Sequence, residues 1–164
     1  MENVAINAVV ITISDTRAKD TDVSGVTLAG LLLQIEAKIV EKLIISDELD
    51  DIRSTLFVIA EREDVNLIVT TGGTGLGPRD NTPEATLRVI EREVPGIAEA
   101  IRAESLKITP MAMISRGVCG VSGGTLIVNL PGSPKAVKES FAVIKPVLSH
   151  AADLLAGKTQ HTSN

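Results

Sequence analysis

A chain of 164 residues with 44% hydrophobic and 23% charged residues carries enough apolar material for one packed core and too much for a disordered segment. Two Phe, no Tyr, no Trp and a net charge of −5 deny it the stacking platforms and basic field that nucleic-acid binders use. Cys119 is the single cysteine, which excludes an intrachain disulfide and a Cys-based zinc site and suits the cytosol.

Residues 7–14 (NAVVITIS) read as a first strand, apolar almost throughout as a strand covered on both faces must be. A polar loop with Asp15, Asp20 and Asp22 follows. A helix is expected from Ser24 or Gly25 to about residue 37, with Val26, Leu28, Leu31, Leu32 and Ile35 facing inward. A second strand over 39–45 ends in Ser46-Asp47-Glu48, and Asp50 is placed to cap a helix reaching about residue 62. The β-branched run over 65–71 is a third strand.

That strand leads into Thr71-Gly-Gly-Thr-Gly-Leu-Gly-Pro-Arg-Asp80 and then Asn81-Thr82-Pro83. Thr82 suits an N-cap and Pro83 the first helical position, so the helix is expected over 83–93. Another helix is expected over about 97–107. Residues 111–115 carry no clear signal. Segments 116–121 and 125–130 form a hairpin through Ser122-Gly123-Gly124. Ser133-Pro134 opens a last helix to about residue 156, within which Pro146 is expected to cause a bend or a break. One domain over 1–157 is expected, with a loose tail over 158–164. The first residues lack the basic and apolar pattern of a leader, so none is expected, and no apolar run approaches membrane-spanning length.

Alternating strands and helices specify a three-layer α/β fold: a mostly parallel sheet flanked by helices, with one antiparallel hairpin strand. In such sheets the loops after the strands gather at one edge. Four of them carry chemistry here: Ser14-Asp15, Ser46-Asp47, Gly72 to Asp80, and Pro131 to Lys135. The glycine loop completes neither common nucleotide fingerprint. Pro78 occupies the third-glycine position of G-x-G-x-x-G, and Pro78-Arg79 replaces the Lys-Ser of a P-loop. Glycines between a strand and a helix also make plain turns, and an acid after a strand also caps helices. From the residues alone, the reading reaches an α/β protein with a phosphate site, in which Asp47 and Asp80 are able to share a divalent ion. Cys119 reads as a small packed residue, since neither His150 nor His161 lies near it in sequence.

Thr71-Gly-Gly-Thr-Gly75 followed by Pro78-Arg-Asp-Asn-Thr-Pro-Glu-Ala-Thr86 resembles the signature of the MogA/MoaB family of molybdenum-cofactor biosynthesis proteins. The resemblance continues through Ser105-Leu-Lys-Ile-Thr-Pro110, Met113-Ile-Ser-Arg116 and Asn129-Leu-Pro-Gly-Ser-Pro-Lys135, and is closest to the molybdopterin adenylyltransferase branch. It implies transfer of AMP from Mg-ATP to the terminal phosphate of molybdopterin, giving adenylyl-molybdopterin and pyrophosphate. It further implies Asp47 and Asp80 as the catalytic pair, both toward Mg²⁺. Gly72, Gly73, Thr74 and Gly75 would approach the nucleotide, beside Ser14 and Asp15. Ser115, Arg116, Ser122, Gly123, Gly124, Thr125, Pro131, Gly132, Ser133 and Lys135 would serve the pterin and its phosphate. A cytoplasmic homotrimer handing its product to a metal-insertion protein is implied too, with no nucleic-acid or membrane partner. Asn81 departs from the family pattern, which has a small β-branched residue there. Two rivals stand beside this reading: a MoaB-like binder with little turnover, and a scaffold module.

Overall fold

The computed structural model describes residues 3–158. The expected tail, apart from Lys158, and His161 lie outside them. The elements run β1 (Asn7–Ile13), α1 (Val23–Leu33), β2 (Lys38–Ile45), α2 (Leu49–Ala60), β3 (Leu67–Thr71), α3 (Thr82–Leu87), β4 (Arg92–Glu93), α4 (Pro95–Leu106), a 3-10 helix (Pro110–Ile114), β5 (Cys119–Ser122), β6 (Thr125–Leu130) and α5 (Pro134–Leu155). They build a six-stranded sheet in the order β2-β1-β3-β6-β5-β4. The first four strands are mutually parallel, and β5 pairs antiparallel with both β6 and β4.

The apolar strand sequences are explained by the two cores. Along β1, Ala8 and Val10 join one cluster with Leu28 and Leu32 of α1 and Val137, Phe141, Ile144 and Leu148 of α5. Val9, Ile11 and Ile13 alternate with them and join Ile52 and Leu56 of α2 and Ala85 of α3 on the other face. A strand buried on both faces has no polar side, so its sequence reads as a continuous run. Among the described residues, aliphatic side chains fill both hydrophobic clusters apart from Phe141 and Cys119.

Several local expectations change. Helix α1 begins at Val23, just before the expected Ser24 or Gly25, and Asp22 caps it: its buried carboxylate accepts from the Gly25 amide at 2.9 Å and from the Thr12 hydroxyl and the Lys42 ammonium. The helix then stops at Leu33, and Val26, expected inward, is exposed. Asp50 lies inside the first turn of α2, and Glu48 takes the cap position without a side-chain bond. The helix expected over 83–93 is only six residues long, because Glu91 and Val94 turn their amides to Val121 and Cys119 and the chain becomes the edge strand β4. Residues 116–118 precede the strand β5 expected to begin there. Pro146 is tolerated within one unbroken 22-residue α5.

Candidate active site

Strand order reverses between β1 and β3, so the loops leaving those two strands bound a crevice at the carboxyl edge of the sheet. The β1 loop brings Ser14 and Asp15, the β2 loop Asp47, the β3 loop Gly72 to Asp80, and the β6 loop Pro131 to Ser133. Ser14 anchors its own loop, its hydroxyl oxygen accepting from the amides of Thr16 and Arg17. Arg17 and Ser24 both donate to the carbonyl of Gly132, at 2.9 and 2.6 Å, which ties the β1 side to the β6 loop.

The glycine loop is held from beneath. Gly72 and Gly73 take φ of 103° and 65°, a region costly for other residues. A Cβ on Gly72 would meet the Ile13 carbonyl at 2.4 Å, and one on Gly73 would meet the Thr82 hydroxyl at 2.3 Å. That hydroxyl donates to the Gly72 carbonyl at 2.9 Å. Thr82 is therefore the first residue of α3 and a lock on the loop, rather than the expected N-cap, and Asn81 takes the cap position. Below it the buried Asn129 amide donates to the hydroxyls of Thr70 and Thr86, joining β3, β6 and α3.

Both aspartates lie against this loop. Asp47 Oδ1 lies 3.5 Å from the Cβ position of Gly73. Asp80 folds back so that Oδ2 accepts from the Gly77 amide at 2.7 Å and sits 2.9 Å from the Cβ positions of both Gly75 and Gly77. A Cβ at either glycine would push that carboxylate from its place. Burial pushes the Asp47 carboxyl above its usual range; the Asp15 amide and Arg79 pull it down, while the charges of Asp15 and Asp80 push it further up. Asp15 and Asp47 exchange backbone-to-carboxylate bonds, and Arg79 clamps Asp15 from the solvent side. Its hydrogen bonds to Arg79 hold the Asp15 carboxyl below the ordinary range.

Other expected site residues divide. Arg116 is beside the loop, but three of its donors are engaged: Nε with the Gly75 carbonyl, one terminal nitrogen with the Asp80 carbonyl, and the other with the Glu84 carboxylate. It braces the loop. Thr74 is largely buried and receives the Arg116 amide on its carbonyl. Ser115, Pro131 and Ala136 line a cavity of about 200 Å³ between α4, the 3-10 helix and α5, next to the crevice. Pro131 accepts the Thr71 hydroxyl on its carbonyl. The Ser133 oxygen accepts from the Ala136 amide and so already takes one of the α5 N-terminal donors. Lys135 is exposed and extends to Glu139 at 3.9 Å.

Ser122, Gly123, Gly124 and Thr125 are not brought to the crevice. They form the turn at the start of β6, whereas the glycine loop packs where β6 ends, and six residues of strand span about 20 Å. The Thr125 hydroxyl donates to the Val65 carbonyl at that opposite edge. Arg17, Thr82 and Glu84 were not expected at the site, and Arg79 was expected only as part of the loop from Gly72 to Asp80. For Arg79 the signal was its adjacency to Asp80; for the others, the partners become neighbours only through the sheet.

Residues 9–150 match the profile of the family described as "Probable molybdopterin binding domain". The Molybdenum cofactor synthesis protein cinnamon of Drosophila melanogaster is 47% identical over 149 residues, 89% of this chain and 25% of that protein. Molybdopterin adenylyltransferase of Helicobacter pylori (strain J99) is 41% identical over 114 residues, 70% of this chain and 65% of that enzyme. The chain thus spans less than two thirds of these two relatives. A crystal structure of the molybdopterin biosynthesis enzyme MoaB from Thermus thermophilus superposes with a TM-score of 0.85 at 44% identity, covering 93% of this chain and 98% of that one. With the family profile, relatives and fold in agreement, the chain belongs to the MogA/MoaB family of molybdenum-cofactor biosynthesis proteins.

Proposed function

We propose that this protein is a molybdopterin adenylyltransferase, transferring AMP from Mg-ATP to the terminal phosphate of molybdopterin. The observation that carries the reading is the placing of Asp47 and Asp80, from two different strand ends, against one glycine loop in which Asp47 Oδ1 approaches Gly73 and Asp80 Oδ2 approaches Gly75 and Gly77. An oxygen of the molybdopterin phosphate attacks the α-phosphorus of ATP. The bond from that phosphorus to the bridging oxygen breaks, and pyrophosphate leaves with the electron pair. No proton need move, because both phosphates are anionic at neutral pH. Rate then comes from in-line placement of two anions and from neutralising their charge.

The carboxylates fit a magnesium ion that arrives with the nucleotide. Their oxygens are hard donors, and Asp47, whose carboxyl is raised first by burial and further by the charges of Asp15 and Asp80, would be stabilised in its charged form by a cation. Among the described residues no three His, Cys, Asp or Glu side chains form a closed metal cluster, so phosphate oxygens would complete the coordination. Bound there, the ion supplies charge neutralisation between the phosphates. Asp47 and Asp80 would hold it, Gly72 to Gly75 would admit the nucleotide, Ser14 and Asp15 bound the same crevice, and the cavity at Ser115 and Pro131 suits the flat pterin. The exposed Lys135 ammonium is available to its phosphate. A homotrimer working in the cytosol and passing its product to a metal-insertion protein completes the proposal. Among the described residues no helix is long and apolar enough to cross a membrane.

The likeness to a MoaB structure keeps a second reading in view, a protein that binds the pterin and turns it over poorly. Incubating the purified protein with molybdopterin, Mg²⁺ and ATP separates them. Adenylyl-molybdopterin and pyrophosphate in equal amounts support the transferase, whereas pterin binding without pyrophosphate release supports the binder.

A further inference from the structure

The two residues flanking Asp80 both reach across to the loop that carries Asp47. On one side, Arg79 Nε and a terminal nitrogen donate to the two Asp15 oxygens at 2.5 and 3.1 Å, and its other terminal nitrogen donates to Glu48 at 2.8 Å. Asp15 in turn accepts from the Asp47 amide, and Glu48 is the next residue after Asp47. On the other side, Asn81 Nδ2 donates to the Asp47 carbonyl at 2.9 Å. One tripeptide, Arg79-Asp80-Asn81, therefore holds the Asp47 backbone at both ends while presenting its own carboxylate.

We propose that Arg79 and Asn81 are positioning residues that fix Asp47 relative to Asp80 and so set the geometry in which the pair receives the metal-bound nucleotide. Stability does not account for these contacts. Arg79, Asp15 and Glu48 are 49%, 35% and 62% exposed, and ion pairs so wetted contribute little to folding. Placement does account for them, because the aspartates sit on loops from β2 and β3, which are separated in the sheet by β1 and share no backbone ladder. Without the bridge their separation would vary with two independent loops. Arg79 suits the task through its planar fork, which grips both Asp15 oxygens while a third contact reaches Glu48; lysine has no such fork. Asn81 supplies a neutral amide donor to the Asp47 carbonyl, which the apolar side chain of a valine could not replace.

The inference rests on the transferase reading, and the test separates the two. Mn²⁺ with α,β-methylene-ATP, which keeps the triphosphate but cannot be cleaved at that link, is titrated into wild type, Arg79→Met, Arg79→Lys, Asn81→Val and the double variant Arg79→Met/Asn81→Val, with bound Mn²⁺ read by paramagnetic resonance. Thermal melting of each variant confirms that it is folded. Loss of groups that orient metal ligands weakens metal binding roughly 10- to 100-fold. The expected pattern is a loss of about 10-fold in Arg79→Met, partial recovery in Arg79→Lys, a smaller loss in Asn81→Val and the largest loss in the double variant, at melting temperatures close to wild type. Folded variants that bind the probe like wild type would overturn the positioning role alone. Wild type that fails to bind it would overturn the transferase reading and the positioning role with it.

Discussion

Asp15 and Asp47 clasp each other: the Asp15 amide donates to Asp47 Oδ2 at 2.8 Å, and the Asp47 amide donates to Asp15 Oδ1 at 3.0 Å. This reciprocal pair closes the ends of β1 and β2 and leaves Asp47 Oδ1 over the glycine loop. Asp47→Asn keeps an oxygen for the Asp15 amide, so the clasp survives while the charge is lost. We expect turnover to fall at least about 100-fold, the scale for losing one group that stabilises transferred charge. An amide hydrogen-exchange pattern like wild type, measured alongside, shows that the loops are still paired.

Asp80→Asn tests the other carboxylate by the same logic. An asparagine oxygen still accepts from the Gly77 amide, and the space between Gly75 and Gly77 still admits it. A folded variant with adenylation reduced by a similar factor is expected in a pyrophosphate-release assay. Wild-type rates would remove Asp80 from the mechanism.

Two glycine substitutions should move stability in opposite directions. Gly73→Ala places a methyl group 2.3 Å from the Thr82 hydroxyl at a positive φ, so the loop must shift. A loss of about 1–3 kcal/mol and of nucleotide binding follows. Gly30 lies inside α1 with nothing near its Cβ position, and Gly30→Ala should add about 0.5–1 kcal/mol. Urea unfolding of the two variants measures both.

Acid sensitivity has a specific contributor in Asp22. Burial pushes its carboxyl up, but bonds from Lys42, the Gly25 amide and Thr12 outweigh burial and leave it below the usual carboxylate range. A carboxyl depressed in the folded state adds stability above its unfolded pKa, and this is lost as pH falls through the folded value. Asp22→Asn should therefore be about 1–3 kcal/mol less stable than wild type near neutrality. The gap should narrow below about pH 4, where the unfolded carboxyl takes up its proton. A gap constant from neutrality into strong acid would show that the charge plays no part.

Cys119 should be inert in the native protein. It is 2% exposed at the start of β5, and burial pushes its thiol up to about 12. A thiol reagent in mildly alkaline buffer should label it only in denaturant. Prompt labelling of the native form would mean that β5 opens readily.

The sheet was legible because burial on both faces leaves an unmistakable apolar run: residues 7–13 and 67–71 declare themselves without reference to any partner. The glycine loop and its two aspartates were legible for a local reason, since the strand ends and turn residues are contiguous in the chain. What the sequence concealed depends on distant groups. Arg92 and Glu93 read as helix because their β5 partners, Val121 and Gly120, come much later in the chain. Asn81 looked like a departure from the family pattern until the fold placed the Asp47 carbonyl 2.9 Å away. Ser122 to Thr125 looked like a further wall of the site because a hairpin turn rich in glycine does not reveal which edge of the sheet it occupies. Arg116 looked free, but the carbonyls of Gly75 and Asp80 are close to it only after the loop has closed.

ATP labelled in one phosphate at a time decides which phosphorus is attacked. The protein is incubated with molybdopterin, Mg²⁺ and ATP carrying ³²P at either the α or the γ position, and the pterin product is separated from pyrophosphate. The account predicts that α-label appears in the pterin product and γ-label only in pyrophosphate. Label from the γ position in the pterin, or pterin binding with no label transferred from either position, would contradict it.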